Sequence, residues 1–219
     1  MLRSSATVLL SLVNDVLDYS RIEAGLMALT PVRFSLEHVI EEALDTVTEL
    51  AARKALDIGC VIEPGVPDVY ADEDRVRQVL INLLSNAVKF TDAGEVAVRV
   101  AAAVDGEAAT VAIRVSDTGH GIPAHLQHRL FQRFSQLETG SSRQAGGAGL
   151  GLAISERLSR LLGGSLTVDS REGEGSTFTF VFTARNAGSP DTAGRNDLVG
   201  TRIALRLARG SSARRCARC

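Results

Sequence analysis

This sequence predicts an α+β fold, and three observations carry the prediction. The stretches 94–104 and 109–116 alternate apolar and polar residues with period 2 on either side of Asp105-Gly106, as in an antiparallel hairpin with one apolar face. A second pair, 165–170 and 176–183, is joined through Arg171-Glu-Gly-Glu-Gly175, with Phe178, Phe180 and Phe182 alternating inward. The remaining long segments carry apolar residues at helical spacing.

Residues 2–25 read as the first helix, with Leu9, Leu12, Val13, Val16, Leu17 and Tyr19 crowding one side and Gly25 as the stop. That arc is wide enough for a bundle, and no partner helix precedes it in the sequence. Ser35 is the expected cap of a second helix, 36–54, with Glu37, Glu41 and Glu42 toward its positive end. A strand over 56–62 follows, Pro64, Gly65 and Pro67 turn the chain, and Asp72 or Asp74 opens a third helix.

The third helix, Asp74 to Thr91, is the one around which the rest is organised. At about 100° per residue, Val76, Leu80, Leu83, Leu84, Ala87 and Val88 fall in one apolar arc, and Asn82, Asn86 and Lys89 share the opposite side. Two amides and an ammonium offer carbonyl oxygen to a metal, and amide donors and a point charge to phosphate. A solvated face that holds Asn by chance would show the same spacing. In the hairpin that follows, Val96, Val98, Val100, Val111, Ile113 and Val115 make the apolar face, leaving Arg99 and Arg114 in water.

The second hairpin strand runs into Asp117-Thr-Gly-His-Gly-Ile-Pro123, an acceptor at a strand end beside backbone able to approach a ligand closely. Residues 124–136 read as a helix with Phe131 and Phe134 on one side. The glycine-rich segment 138–149 has no large apolar residue and cannot anchor itself by burial, so it is expected to be mobile without a ligand. Gly149-Leu-Gly151-Leu then opens a helix that stops at Gly163-Gly164, and a Gly-rich approach to a helix N-terminus suits phosphate.

Composition excludes several classes. A net charge of −2 argues against a nucleic-acid binder, and no apolar run reaches the length of a membrane span. With aromatics at 4% and no Trp, the core rests on Val, Leu, Ile, Ala and seven Phe. The N-terminus lacks a signal-peptide pattern, and three Cys without a disulfide framework suit a reducing, cytoplasmic setting. Residues 186–197 read as a linker and the Arg-rich end as a solvated tail; Cys216-Ala-Arg-Cys219 lacks the second pair that a zinc site requires.

Four of these segments, in order, resemble the ATP-binding catalytic domain of bacterial sensor histidine kinases, hybrid-type in particular, within the superfamily of gyrase and mismatch-repair ATPases. Asn82-Leu-Leu-Ser-Asn86-Ala-Val-Lys89-Phe-Thr resembles the N box and Asp117-Thr-Gly-His-Gly121 the G1 box. Phe131-Gln-Arg-Phe134 resembles the F box, Gly147-Ala-Gly149-Leu-Gly151-Leu the G2 box, and Gly173-Glu-Gly175-Ser-Thr-Phe the family's last glycine pair. Asp18-Tyr-Ser-Arg-Ile-Glu-Ala-Gly25 is similar to the end of a second dimerisation helix. The fold implied is a two-layer α/β sandwich, with a mixed, mostly antiparallel sheet covered on one face by helices and preceded by one long dimerisation helix. The implied domains are 1–30, the second helix of a phosphoacceptor hairpin; 31–185, the catalytic domain; and 186–219, a linker and tail. Residues 197–205 faintly resemble the start of a receiver domain.

The resemblance also implies site roles. Asn82 would coordinate Mg2+ shared with the ATP phosphates, Asn86 would support that cluster, and Lys89 would neutralise phosphate charge. Asp117 would accept from the adenine amine in a pocket shaped by Gly119 and Gly121. Gly147, Gly149, Leu150, Gly151 and Thr177 would complete the nucleotide site, with 138–149 as its lid. Ala148 stands where many relatives carry Thr or Ser. Hydrolytic members carry Glu at the position of Asn82, and an amide cannot serve as that base. Transfer to a histidine is therefore implied, with a histidine-bearing dimerisation helix, a response regulator or receiver domain, and a homodimeric parent as partners. His38, His120, His125 and His128 lack an acceptor-motif context, so the acceptor is expected outside this chain. A silent nucleotide-binding module and a gyrase-type hydrolase are the competing functions.

Overall fold

The computed structural model describes residues 13, 16–135, 149–188 and 202–203 of the chain. Of the first helix, here α1, residue 13 and residues 16–23 are described as helical, and its earlier residues, Leu9 and Leu12 among them, lie outside the described set. There follow β1 (Val32–Phe34), α2 (Leu36–Lys54), β2 (Asp57–Ile62), β3 (Val69–Ala71), α3 (Glu73–Phe90), β4 (Glu95–Asp105) and β5 (Ala108–Asp117). Then come α4 (Ala124–Gln127), α5 (Gly151–Leu161), β6 (Ser165–Arg171), β7 (Gly175–Asn186) and β8 (Arg202–Ile203).

The strands form one sheet in the order β1-β3-β7-β5-β4-β2-β8, with β6 pairing β7 beside that path. Only β2 and β4 run parallel among the described pairs, so the sheet is mixed and mostly antiparallel, as expected. Period-2 alternation sets the covered face: Val96, Val98 and Val100 on β4, Val111, Ile113 and Val115 on β5, and Phe178, Phe180 and Phe182 on β7 are all buried. Arg99 and Arg114 stand directly opposite each other on the open face, both exposed. Against the apolar face lie α2 (Val39, Ile40, Ala43, Leu44, Val47), α3 (Val76, Val79, Leu80, Leu83, Leu84, Val88) and α5 (Ile154, Leu158).

Several expectations need correction. Ser35 stands at the N-cap of α2 but makes no side-chain cap bond, whereas Asp72 caps α3 by accepting from Arg75 N–H at 3.1 Å. The three-residue strands β1 and β3 were not expected; Val32 pairs with Ala71 and Phe34 with Val69. The helix expected over 124–136 stops at Gln127, and beyond it Arg129, Leu130 and Gln132 N–H groups bond carbonyls three residues back, a run of tight turns. Phe131 and Phe134 consequently part company. Phe131 packs against the core, while Phe134, in left-handed backbone (φ 57°), is 69% exposed. In the expected tail, Arg202 and Ile203 pair antiparallel with Val61 and Cys60; the rest of that tail, including Cys216 and Cys219, lies outside the described residues.

Tyr19 of α1 is buried, with Arg133 stacked over its ring at 4.9 Å. Asp18 accepts from Gln78 Nε2 at 3.0 Å and from Arg75 NH1 at 3.4 Å, tying α1 to the start of α3. On the same helix Val13, Val16 and Leu17 remain about half exposed.

Candidate functional site

The polar row of α3 forms as the spacing requires. Leu83, Leu84, Ala87 and Val88 are buried, while Asn82, Asn86 and Lys89 are only partly covered and rise along one side over about 10 Å. Asn86 Nδ2 donates to Asn82 Oδ1 at 3.4 Å, and Asn82 Nδ2 donates to Ser155 Oγ on α5 at 2.8 Å. Ser159 Oγ in turn donates to the Ser155 carbonyl at 2.7 Å. The amide of Asn82 is thus oriented from behind, its oxygen turned toward the start of α5.

That start is built to come close. A Cβ placed on Gly151 would lie 2.3 Å from Asn82 Oδ1, so only glycine lets the helix begin against this amide. Leu150, buried, holds the N-cap position and makes no side-chain cap bond to the first N–H groups of α5. An open cleft of about 530 Å³ lies alongside, between α1, α3 and α5, lined by Gln78, Ile81, Asn82, Ser85, Gly151 and Ser155.

The second part of the site hangs from the end of β5. Gly119 N–H donates to Asp117 Oδ1 at 2.9 Å, bending the chain back on the carboxylate. His120 N–H reaches the Phe90 carbonyl of α3 at 3.3 Å, and the His120 carbonyl accepts from Gly173 N–H at 2.7 Å in the β6–β7 turn. Gly121 adopts φ 64°, and a Cβ there would collide with the Arg171 carbonyl. Ile122 N–H donates to Ser170 Oγ at 2.8 Å, and Ser170 Oγ meets Ser176 Oγ at 2.9 Å. On the neighbouring strand Asp117 pairs with Ser176 and Ser116 with Thr177, whose hydroxyl lies 2.9 Å from Ser116 Oγ.

Burial raises the pKa of Asp117, and bonds from the backbone of Gly119 and Ser176 and the charge of His120 pull it partly back. Burial lowers that of Lys89, whose ammonium sits 4.9 Å from the Phe90 ring centre. The fold therefore spends free energy to keep one carboxylate and one ammonium half out of water.

Of the residues singled out from sequence, Asn82, Asn86, Leu150 and Gly151 gather where α3 meets α5, with Lys89 one helical turn beyond Asn86. Asp117, Gly119, Gly121 and Thr177 gather at the β5–β7 end, and Gly149 (φ 66°) lies against the backbone of Phe134 and Ser135. Gly147 and the segment 136–148 lie outside the described residues. Sequence reading missed Ser155 and Ser170. Ser155 had a signal, since with Ser159 it forms an i, i+4 pair of buried hydroxyls on an otherwise apolar helix face.

Comparison with known proteins decides the family. Residues 71–186, more than half the chain, match the model of the histidine kinase-, DNA gyrase B- and HSP90-like ATPases. The chain belongs to that family. It is 41% identical over 211 residues to the sensor histidine kinase RcsC of Escherichia coli K12, covering 96% of this chain and 22% of RcsC. It is 46% identical over 181 residues to the circadian input-output histidine kinase CikA of Synechococcus elongatus, covering 81% of this chain and 24% of CikA. The crystal structure of full-length ShkA in complex with AMPPNP superposes with a TM-score of 0.75 at 37% identity, over 86% of this chain and 38% of that one. The chain thus spans under a quarter of these two curated relatives, and what it matches is the ATP-binding catalytic portion of sensor histidine kinases. Among the described residues no helix is long and apolar enough to cross a membrane.

Proposed function

We propose that this kinase domain binds Mg2+-ATP between the α3 amide row, the start of α5 and the Asp117 loop, and transfers the γ-phosphoryl to a histidine nitrogen outside these 219 residues. The observation that carries the reading is the meeting of Asn82 with the start of α5 at Gly151, where the N-cap residue makes no side-chain cap bond. This sets a hard oxygen beside the backbone N–H groups of a helix N-terminus. Mg2+ fits here as an ion shared with phosphate. Among the described residues no group of three or more His, Cys, Asp or Glu could hold a metal, and Asn82 is the residue that would hold Mg2+ here, together with the phosphates and water. Bound there, it would supply neutralisation of phosphate charge.

The chain's own residues divide the work. Asn82 offers the metal its oxygen while Ser155 holds the amide in orientation, Asn86 braces Asn82, and Lys89 brings a mobile charge to the phosphates. The α5 N-terminus at Leu150 and Gly151 donates backbone N–H groups, with Gly149 immediately before it. Asp117 accepts from the adenine amine, with Gly119, Gly121 and Thr177 shaping the pocket. Asn82 and Asn86 are amides without useful basicity and Lys89 is an ammonium with no lone pair to take a proton, which favours transfer over hydrolysis.

Residues 1–30 would belong to a dimerisation hairpin, 31–185 to the catalytic domain, and 186–219 to a linker toward a receiver domain. The partners would be a histidine-bearing dimerisation helix, a response regulator and a second copy of the intact, cytoplasmically disposed kinase. The half-exposed Val13, Val16 and Leu17 support a helical partner. The test supplies this chain, γ-labelled ATP and a separate histidine-bearing helical hairpin. Acid-labile label should appear on the hairpin and none on the chain, and Asn82→Ala should abolish it. Heatless titration with Mg2+-ATP, or steady phosphate release without transfer, would overturn the reading.

A further inference from the structure

A helix leaves its last carbonyls, about four, without intrahelical donors. In α3 these belong to Ala87, Val88, Lys89 and Phe90, and each receives a donor from elsewhere. Thr91 Oγ1 donates to Ala87 O at 2.7 Å. Lys54 Nζ donates to Val88 O at 3.0 Å and to Lys89 O at 2.7 Å, and adds a bond to Thr91 O at 2.9 Å. His120 N–H takes Phe90 O. An ammonium has three donors, and Lys54 commits all of them to this one helix end, with its charge at the negative pole of the α3 dipole. No glycine closes α3; Thr91 is extended (φ −107°, ψ 119°), so the end depends on these outside donors.

We infer that Lys54 is a positioning residue for base recognition, fixing the α3 end from which the Asp117 loop is hung. The route is short. A Cβ on Gly119 would stand 2.3 Å from Phe90 O, the same oxygen that His120 N–H bonds, and Gly119 N–H holds Asp117 Oδ1. A displaced α3 terminus shifts Gly119, and with it the orientation of the carboxylate. Asp92 adds an exposed link on the rim, its carboxylate 3.5 Å from Lys54 Nζ and 3.1 Å from His120 Nε2. Lys54 itself lies at the end of α2 and meets the proposed nucleotide residues only through the backbone carbonyl of Lys89.

The inference rests on Asp117 reading the base, and its readout is selectivity. A carboxylate accepts from the amine of adenine and repels the carbonyl that guanine presents at the equivalent position. Lys54→Met should lower the preference for ATP over GTP about tenfold, the worth of a charged hydrogen bond, and leave inorganic tripolyphosphate binding within about twofold. Lys54→Gln, which keeps two donors without the charge, should fall between. Calorimetry on the full chain measures all three ligands, with circular dichroism confirming folded protein. A parallel loss for ATP, GTP and tripolyphosphate in either variant, with the ATP/GTP ratio unchanged, would overturn the inference. If wild type shows no preference for ATP, or Asp117→Asn leaves the ratio unchanged, the assignment of Asp117 itself fails and takes this inference with it.

Discussion

Asp117 holds two demands in conflict. The role proposed for it calls for an ionised carboxylate that accepts from an amine, yet burial raises its pKa. A carboxyl whose pKa is raised on folding contributes stability that is fully present below its unfolded pKa and is lost as pH rises through the folded value. At neutral pH the ionised side chain therefore costs the empty domain stability. Asp117→Asn should melt higher than wild type at neutral pH, converge with it in acid, and lose ATP affinity; paired thermal melts across a pH series check this. Lys89 carries the opposite sign. Its lowered pKa means phosphate affinity should fall at a less alkaline pH than an ordinary lysine would set, measurable by titrating tripolyphosphate at rising pH. The Asn82, Asn86 and Lys89 row was legible in the sequence because helical period alone places those residues together. Ser155 and Lys54 were not, because their partners lie far along the chain, Asn82 for the one and the carbonyls of 88, 89 and 91 for the other.

Among the elements, the long ones were readable and the short ones were not. α2 came out over 36–54 as expected and the strands within a few residues, since each repeats its apolar period several times. β1 and β3 have three residues each, too few to show a period, and exist because Val32 and Val69 find partners across the sheet. The segment after Gln127 has helical composition but closes into tight turns, with Gln127 Nε2 held by the carbonyls of Ile122 and Ser170. The junction after α2 is strained in a way that can be measured. Ala55, at the C-cap, sits in left-handed backbone at φ 54° with its N–H on the Ala52 carbonyl. Glycine takes that conformation without the Cβ penalty, so Ala55→Gly should raise stability by about 0.5–1 kcal/mol in urea denaturation.

At the scale of the molecule, one strand joins the layers. β7 pairs with β3, β5 and β6, and its Phe180 and Phe182, both fully buried, stack with ring centres 5.1 Å apart beneath the helices. Phe180→Ala should cost about 3–5 kcal/mol in equilibrium denaturation, near the whole stability of many domains. The apolar sheet face could be read from alternation, and its helical cover followed from the family resemblance, but strand order could not be read, because nothing local in β7 says that it slots beside β5 rather than ending the sheet.

The register of β7 against β5 has a consequence for synthesis. Asp117 meets Ser176, and Ser116 meets Thr177, only once that late strand has left the ribosome, whereas α2, α3 and the β4–β5 hairpin emerge well before it. A nascent chain thus carries α3 for some time with the β5 edge bare. Cellular nucleotide cannot assist the folding of this domain until β7 has emerged.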